Sequence, residues 1–174
     1  MEVSIPLFVI GIKDKINDDV DIVKKHIAIE ILLNLLIGKS SKLYKDLYEK
    51  ELIMTEPFLE YDFAKSYAYI AITGQSKEPR EVLERFKQDI EKYKKNGINE
   101  PDFKRIKNMI YGEYVKEFNN VSDVCRMFVS DFFKGINSFE YIENSDKISR
   151  EYVQDVLNRV FKEDVMTISI VKGK

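Results

Sequence analysis

The hydrophobic pattern changes its period along the chain, and the order of these changes restricts the possible folds. A continuous apolar, β-rich run over 5–12 predicts a strand that is buried on both faces. Helical periodicity follows over 20–37 and 42–51. Alternation over 53–62 and 66–74 then predicts a hairpin of two strands, because the link between them is short.

After this hairpin the chain is predicted to be helical almost to its end. One helix opens at Pro79, a second is capped by Asn99, a third covers 122–134 and a fourth is capped by Ser149. A last strand is predicted over 165–171. This order predicts an α+β fold in which helices pack on one face of a four-stranded, mainly antiparallel sheet, a ferredoxin-like arrangement with additional helices.

The proportions of the chain suit one soluble domain. Its 174 residues are 44% hydrophobic and 33% charged, which is ordinary for a globular protein with a real core. A buried strand so close to the first residue suggests a domain cut from a longer polypeptide. We therefore expect residues 1–174 to form a single domain of a larger protein.

Charge and hydropathy argue against two classes of partner. The 28 Lys and Arg against 30 Asp and Glu give a net charge of −2, which creates no field to recruit nucleic acid or an anionic membrane. Tyr67 and Tyr69 share a strand face, as base-stacking aromatics would, but their surroundings are not basic, so packing is favoured. The longest apolar run, 27–37, is shorter than the ~20 residues that span a bilayer.

The single cysteine, Cys125, excludes an internal disulfide framework and fits a reducing, cytoplasmic compartment. We expect a plain buried thiol, because its apolar neighbours look like the core face of a helix. Those neighbours are Val124, Met127, Phe128 and Val129.

The chain contains one histidine, which limits the chemistry that it can perform. His26 and Glu30 are four residues apart, so a helix would place both on one face. Zinc peptidases of the inverted type need two histidines in His-Xaa-Xaa-Glu-His and a distant acid, and Ile27-Ala28-Ile29 separates this pair. Glycine-rich phosphate loops and Gly-Xaa-Ser-Xaa-Gly elbows are also absent from the sequence. We therefore predict no catalytic residue and no metal site, and a helix-surface or interface histidine with an ionic neighbour.

One segment, 35–53, carries a family resemblance. Its text, LLIGKSSKLYKDLYEKELI, resembles the helix-turn-helix of pitrilysin/insulinase-type zinc peptidases, including the mitochondrial processing peptidase group, and most closely the bacterial members. The positions that match are Gly38, Ser41, Leu43, Leu47, Glu49 and Ile53. The order of the downstream elements is also similar, so the resemblance covers nearly the whole chain.

The resemblance implies a role without catalysis. Family members duplicate this fold: an N-terminal domain bears the zinc motif, and a C-terminal domain without it closes over the peptide. Without that motif, this chain resembles the C-terminal, inactive type, with zinc expected in a catalytic N-terminal domain of the same or a partner chain. An arginine and a tyrosine that help to hold the substrate in many members correspond here to Tyr48 and Thr55. These two residues are our candidate substrate-binding positions, although neither a cation nor a phenol stands where the family uses one.

Three functions remain open at this point. The first is a chamber domain of a zinc metallopeptidase that contributes to peptide binding. The second is an assembly or adaptor module of the same fold with no peptidase relation. The third is a self-standing enzyme that uses His26 and Glu30.

Overall fold

The computed structural model describes residues 5–15 and 21–172. Within them the strands are β1 (Leu7–Asp14), β2 (Phe58–Ala64), β3 (Tyr67–Gln75) and β4 (Met166–Val171). The helices are α1 (Ile22–Leu36), α2 (Lys42–Glu49), α3 (Pro79–Asn96), α4 (Glu100–Glu117), α5 (Val121–Lys134), α6 (Phe139–Ser145) and α7 (Arg150–Val160). The predicted α+β class is confirmed.

The four strands form one antiparallel sheet in the order β2-β3-β1-β4. The first strand therefore lies in the interior of the sheet and pairs with the last, so that Leu7 is opposite Val171. This is the topology of a ferredoxin-like sheet, as expected.

Strand β1 is buried on one face only. Phe8, Ile10 and Ile12 are at most 1% exposed and point towards the helices, whereas Val9 is 38% exposed on the other face. The prediction of a strand buried on both faces was wrong, because in the described part of the chain the helices cover one side of the sheet. Tyr67 and Tyr69 lie on the open side, stacked on each other with ring centroids 6.0 Å apart.

Helix α1 is the central element of the core. Asp21 caps it by accepting a hydrogen bond from the backbone N–H of Lys24, and 10 of its 15 residues are buried. Two residues beyond the end of the helix, at Gly38, an added Cβ atom would lie 2.8 Å from the backbone of Asn34. Only glycine fits there, so the sequence fixes the point at which the chain leaves α1 for α2.

A buried ion pair joins the start of α1 to the sheet. Lys25 Nζ lies 2.6 Å from Asp14 Oδ2, and both side chains are less than a tenth exposed. Lys25 also donates to the carbonyl oxygen of Lys15 at 2.9 Å, and the Tyr61 hydroxyl donates to Asp14 at 2.8 Å. These bonds satisfy both charges inside the protein, which a buried pair requires.

Two elements differ from the prediction. Strand β2 begins at Phe58 and not at residue 53, because Ile53 packs into the core as part of a loop and Pro57 cannot donate to a ladder. Helix α6 was not predicted, because it is short and Ser138 does not cap it; the Ser138 hydroxyl donates instead to Asp131 at 2.6 Å. None of the described helices has the length and apolar character that crossing a membrane demands.

Candidate functional site

Four helices, α1, α4, α5 and α6, surround a cleft of about 520 Å³ that contains the histidine. Helix α1 contributes His26 and Glu30, and α4 and α6 contribute Tyr114 and Tyr141. The side of α5 that faces this cleft is polar. Its lining residues are Asp123, Arg126, Met127, Ser130, Asp131 and Lys134.

His26 is enclosed by aromatic rings. The ring centroids of Tyr61, Phe63 and Tyr141 lie 5.3 to 5.5 Å from that of the imidazole. Its side chain is 17% exposed, and Nε2 lies 3.6 Å from Glu30 Oε1. The predicted neighbour is present, but the histidine is more enclosed than a helix-surface residue, because β2 and α6 bring rings that no local pattern reveals.

Burial keeps this histidine neutral. It lowers the pKa of His26 to about 3, and the positive charge of Lys134 acts in the same direction. Nδ1 shares a hydrogen bond of 2.8 Å with the Tyr141 hydroxyl. With the proton on Nε2, Nδ1 accepts from the Tyr141 hydroxyl. Nε2 is 3.6 Å from Glu30 Oε1, which is too far for a hydrogen bond.

Glu30 occupies the other end of this network. The pKa of Glu30 is raised to about 7, mainly by burial and also by the nearby charges of Glu113 and Glu117, against the opposing effect of a hydrogen bond from Tyr114. The Tyr114 hydroxyl donates that bond, although 84 residues separate the two in sequence. No sequence pattern connects Tyr114 to Glu30.

This arrangement does not fit a zinc ion. Hydrolytic zinc sites use three protein donors and keep a fourth position open. Within 5–15 and 21–172, no group of three or more His, Cys, Asp or Glu residues is placed to hold a metal. Tyr141 and Tyr114 instead hydrogen-bond to His26 Nδ1 and Glu30 Oε2, and His26 and Glu30 by themselves are one donor short of the three that such a site uses.

The two predicted substrate-binding residues lie away from the cleft. Tyr48 is on α2 and 54% exposed, with its ring stacked on Tyr44 at 6.1 Å between centroids. Thr55 is exposed in the loop before β2, next to Met54, which is itself 51% exposed. Both side chains are therefore available to a partner, and their role in substrate binding stays a prediction.

The prediction of a buried thiol was wrong. Cys125 is exposed on α5. Of its expected apolar neighbours, Phe128 and Val129 are also exposed, whereas Met127 lines the cleft on the other side of the helix. Asp131 is the one buried residue among the 14 of α5.

Comparison with known proteins places this fold in a family. The sequence-family model described as the peptidase M16 inactive domain matches residues 18–110, which is more than half of the chain. The chain therefore belongs to the peptidase M16 inactive domain family. This confirms the resemblance identified in the sequence and the assignment of the chain to the type without catalytic activity.

Individual relatives agree with this assignment. The uncharacterized zinc protease YmfH of Bacillus subtilis is 26% identical over 181 residues, which cover 100% of this chain and 41% of that protein. The chain thus spans about two fifths of the length of this curated relative.

Solved structures share the fold. A structure from Alicyclobacillus acidocaldarius described as an M16-like peptidase has a TM-score of 0.90 at 21% identity, covering 99% of this chain and 42% of the other. A structure described as the inactive peptidase domain of a zinc protease from Bordetella parapertussis has a TM-score of 0.80 at 10% identity. The match covers 100% of this chain and 97% of that domain, so a unit of this extent has been solved separately.

Proposed function

We propose that this chain is the non-catalytic domain of a zinc-dependent metallopeptidase and forms one wall of the chamber that holds the peptide substrate. Its family membership and its coverage of about two fifths of a zinc protease relative support this proposal. In this proposal, residues 1–174 are one domain of a longer, cytoplasmic protein. The catalytic domain, in the same or a partner chain, carries the zinc.

The His26–Glu30 network is the observation that carries the proposal. A pair at this spacing is the chain's nearest approach to a zinc-binding helix, yet Tyr141 and Tyr114 engage both side chains. The network links α1 to α4 and α6, and it offers two candidate donors where a hydrolytic zinc needs three. Such a domain contributes shape and surface, which excludes water from the reaction and limits the size of the substrate.

The peptide-facing surface in this proposal is the end of α2 and the loop that follows. Tyr48 and Thr55 are exposed there, and the stacked ring of Tyr44 supports Tyr48. An exposed aromatic ring offers apolar contact area to a peptide at a small cost in conformational entropy. The contact to substrate is therefore expected to be apolar, without the cation that many relatives use.

Two measurements test the proposal. The purified chain should contain no stoichiometric zinc by elemental analysis and should not cleave peptides, whereas peptidase activity should appear when the zinc-bearing domain is present. In that assembly, Tyr48→Ala should raise KM, and Tyr67→Ala on the open face of the sheet is the matched exposed control. Stoichiometric zinc in this chain, or an equal KM for both variants, would contradict the proposal.

An assembly or adaptor module remains the second candidate. The observation in its favour is the apolar surface exposed on α5, since such surfaces mark protein–protein contacts. A His-Xaa-Xaa-Glu-His domain encoded in the same gene or a neighbouring one favours the peptidase. A gene context without such a domain favours the adaptor.

A further inference from the structure

Helix α5 exposes a continuous apolar surface, which we call the α5 stripe. Phe132 and Phe133 are 78% and 79% exposed, and Val121 and Val129 are 81% and 57% exposed. The stripe consists of Val121, Cys125, Phe128, Val129, Phe132 and Phe133. Its central positions, 121, 125, 128 and 132, follow the spacing by which two helices pack together.

The opposite side of α5 holds the helix to the domain through polar contacts. Asp131 accepts from the Ser138 hydroxyl at 2.6 Å. Lys134 pairs with Asp62 at 3.1 Å and lies 4.7 Å from the centre of the Phe63 ring. The helix therefore turns its polar side inwards and its apolar side outwards. Because a 14-residue helix is marginal by itself, a covering surface would stabilise it.

We propose that a second copy of this chain covers the α5 stripe, with the two α5 helices packed antiparallel about a two-fold axis between Phe128 and Val129. An isologous contact requires a patch that is complementary to itself. This stripe meets that requirement, because antiparallel pairing sets large side chains against smaller ones. The opposed pairs are Cys125 with Phe132 and Phe128 with Val129.

The size of the surface suits a dimer. With aromatic side chains that bury 150–250 Å² each, covering the stripe removes roughly 600 Å² per copy from water. Phe139, 49% exposed and 5.4 Å from the Phe128 ring by centroid distance, extends the patch. The total approaches the ~800 Å² per partner of a standard specific interface. This dimer does not depend on the proposed peptidase role.

The first experiment measures the mass of the chain in solution by sedimentation equilibrium. We expect a dimer of the 20.5 kDa chain. Phe132→Glu should weaken dimerisation about 100-fold or more, because it places a charge at the centre of the contact. Phe58→Glu is the matched control, since Phe58 is 65% exposed on β2 and lies outside the stripe. Both variants should keep the wild-type circular dichroism spectrum, because both side chains are exposed.

The second experiment uses the single cysteine. Cys125 should react slowly with a thiol reagent in the dimer and at least tenfold faster in Phe132→Glu. In a Cys125→Ser background, Val129→Cys should form a disulfide-linked dimer on mild oxidation, because the two copies of residue 129 meet near the axis. Met54→Cys in the same background is the exposed control and should stay monomeric.

Several results would overturn this proposal. A monomeric wild-type chain, or a Phe132→Glu variant that still dimerises, would remove its basis. Assemblies that grow beyond two copies would show a heterologous contact. A zinc-bearing domain that displaces the second copy and protects Cys125 in a 1:1 complex would show that the other half of the protein covers the stripe.

Discussion

Helices α1 and α5 have similar lengths but opposite relations to the core. Ten of the 15 residues of α1 are buried, against one of the 14 of α5. In α1, apolar side chains point into the protein and its few polar groups find partners among buried aromatic and charged residues. In α5, polar side chains hold the helix to the cleft and apolar ones face outwards. Hydrophobic periodicity therefore shows that a helix has an apolar face, and the fold decides whether the domain itself covers that face.

The buried charge at the start of α1 should produce the largest effect. Lys25→Met leaves Asp14 without its cation at a site that is less than a tenth exposed, and this should cost about 3–5 kcal/mol of unfolding free energy. Lys45→Met is the matched control, because its pair with Glu49 is mostly exposed and should contribute little. Urea unfolding of both variants measures the two losses of free energy. Equal losses would show that the buried pair of Lys25 and Asp14 contributes no more than the exposed control pair.

Truncating one apolar side chain in each helix should lower the free energy of unfolding by very different amounts. Leu36→Ala removes a side chain of α1 that is 0% exposed, and the cavity should cost about 2–4 kcal/mol. Phe132→Ala in α5 should cost less than ~0.5 kcal/mol at protein concentrations where the chain is monomeric. If the two losses in denaturant unfolding were similar, α5 would be packed as α1 is.

Removing one hydroxyl tests the network at the C-terminal half of α1. Tyr114→Phe deletes the donor to Glu30 and should cost about 1.5 kcal/mol, because it leaves a partly buried acceptor without its partner. Tyr67→Phe removes an exposed hydroxyl that donates to Asp62 at 2.9 Å and should leave stability unchanged. Thermal unfolding of the two variants and the wild-type protein measures this difference. A Tyr114→Phe variant that is as stable as the wild type would contradict the prediction.

The pH dependence of stability should show the smallest effect. Since the pKa of Glu30 is raised to about 7 in the folded protein, the unfolded state loses its proton first, near pH 4.3. The protonated carboxyl of Glu30 therefore stabilises the folded protein fully below about pH 4.3, and this contribution is lost as the pH rises to about 7.

Glu30→Gln should remove this loss. After allowance for a side chain that is 32% exposed, the variant should gain about 1 kcal/mol over wild type between pH 5 and pH 8. The lowered pKa of His26 changes stability in the opposite direction at acid pH, but this cancels because the variant and wild type share it. Parallel stability curves for the two proteins would contradict the prediction.

Most of the fold was predictable because its elements have local signals. Ser41, Asn99 and Ser149 cap helices in the structure, and each was recognisable as a polar residue before an apolar pattern. The cap of α1 was expected among Asn17, Asp18 and Asp19, which lie outside the described residues, and in the structure Asp21 caps this helix. Helix α6 lacked such a cap, and the start of β2 was obscured by an apolar loop. The open face of the sheet was not predictable, because an apolar strand has the same composition whether one or two layers cover it.

The candidate site was predictable only in part. The spacing of His26 and Glu30 placed both on one helical face, and the single histidine argued against zinc. Tyr114 and Tyr141, which hydrogen-bond to this pair, approach from 84 and 115 residues away along the chain. The sequence also gave no sign of which way Cys125 faces, since that depends on how α5 is attached.

The pairing of the first strand with the last has a mechanical consequence. Leu7 and Val171 are opposite each other at one end of an antiparallel ladder. A force applied through these two residues would load the outermost hydrogen bonds first and open the ladder one rung at a time, as a zipper opens. Ladders that are pulled along the strand direction share the load among all rungs. The domain should therefore yield at low tension when it is stretched from its ends, although its core is well packed.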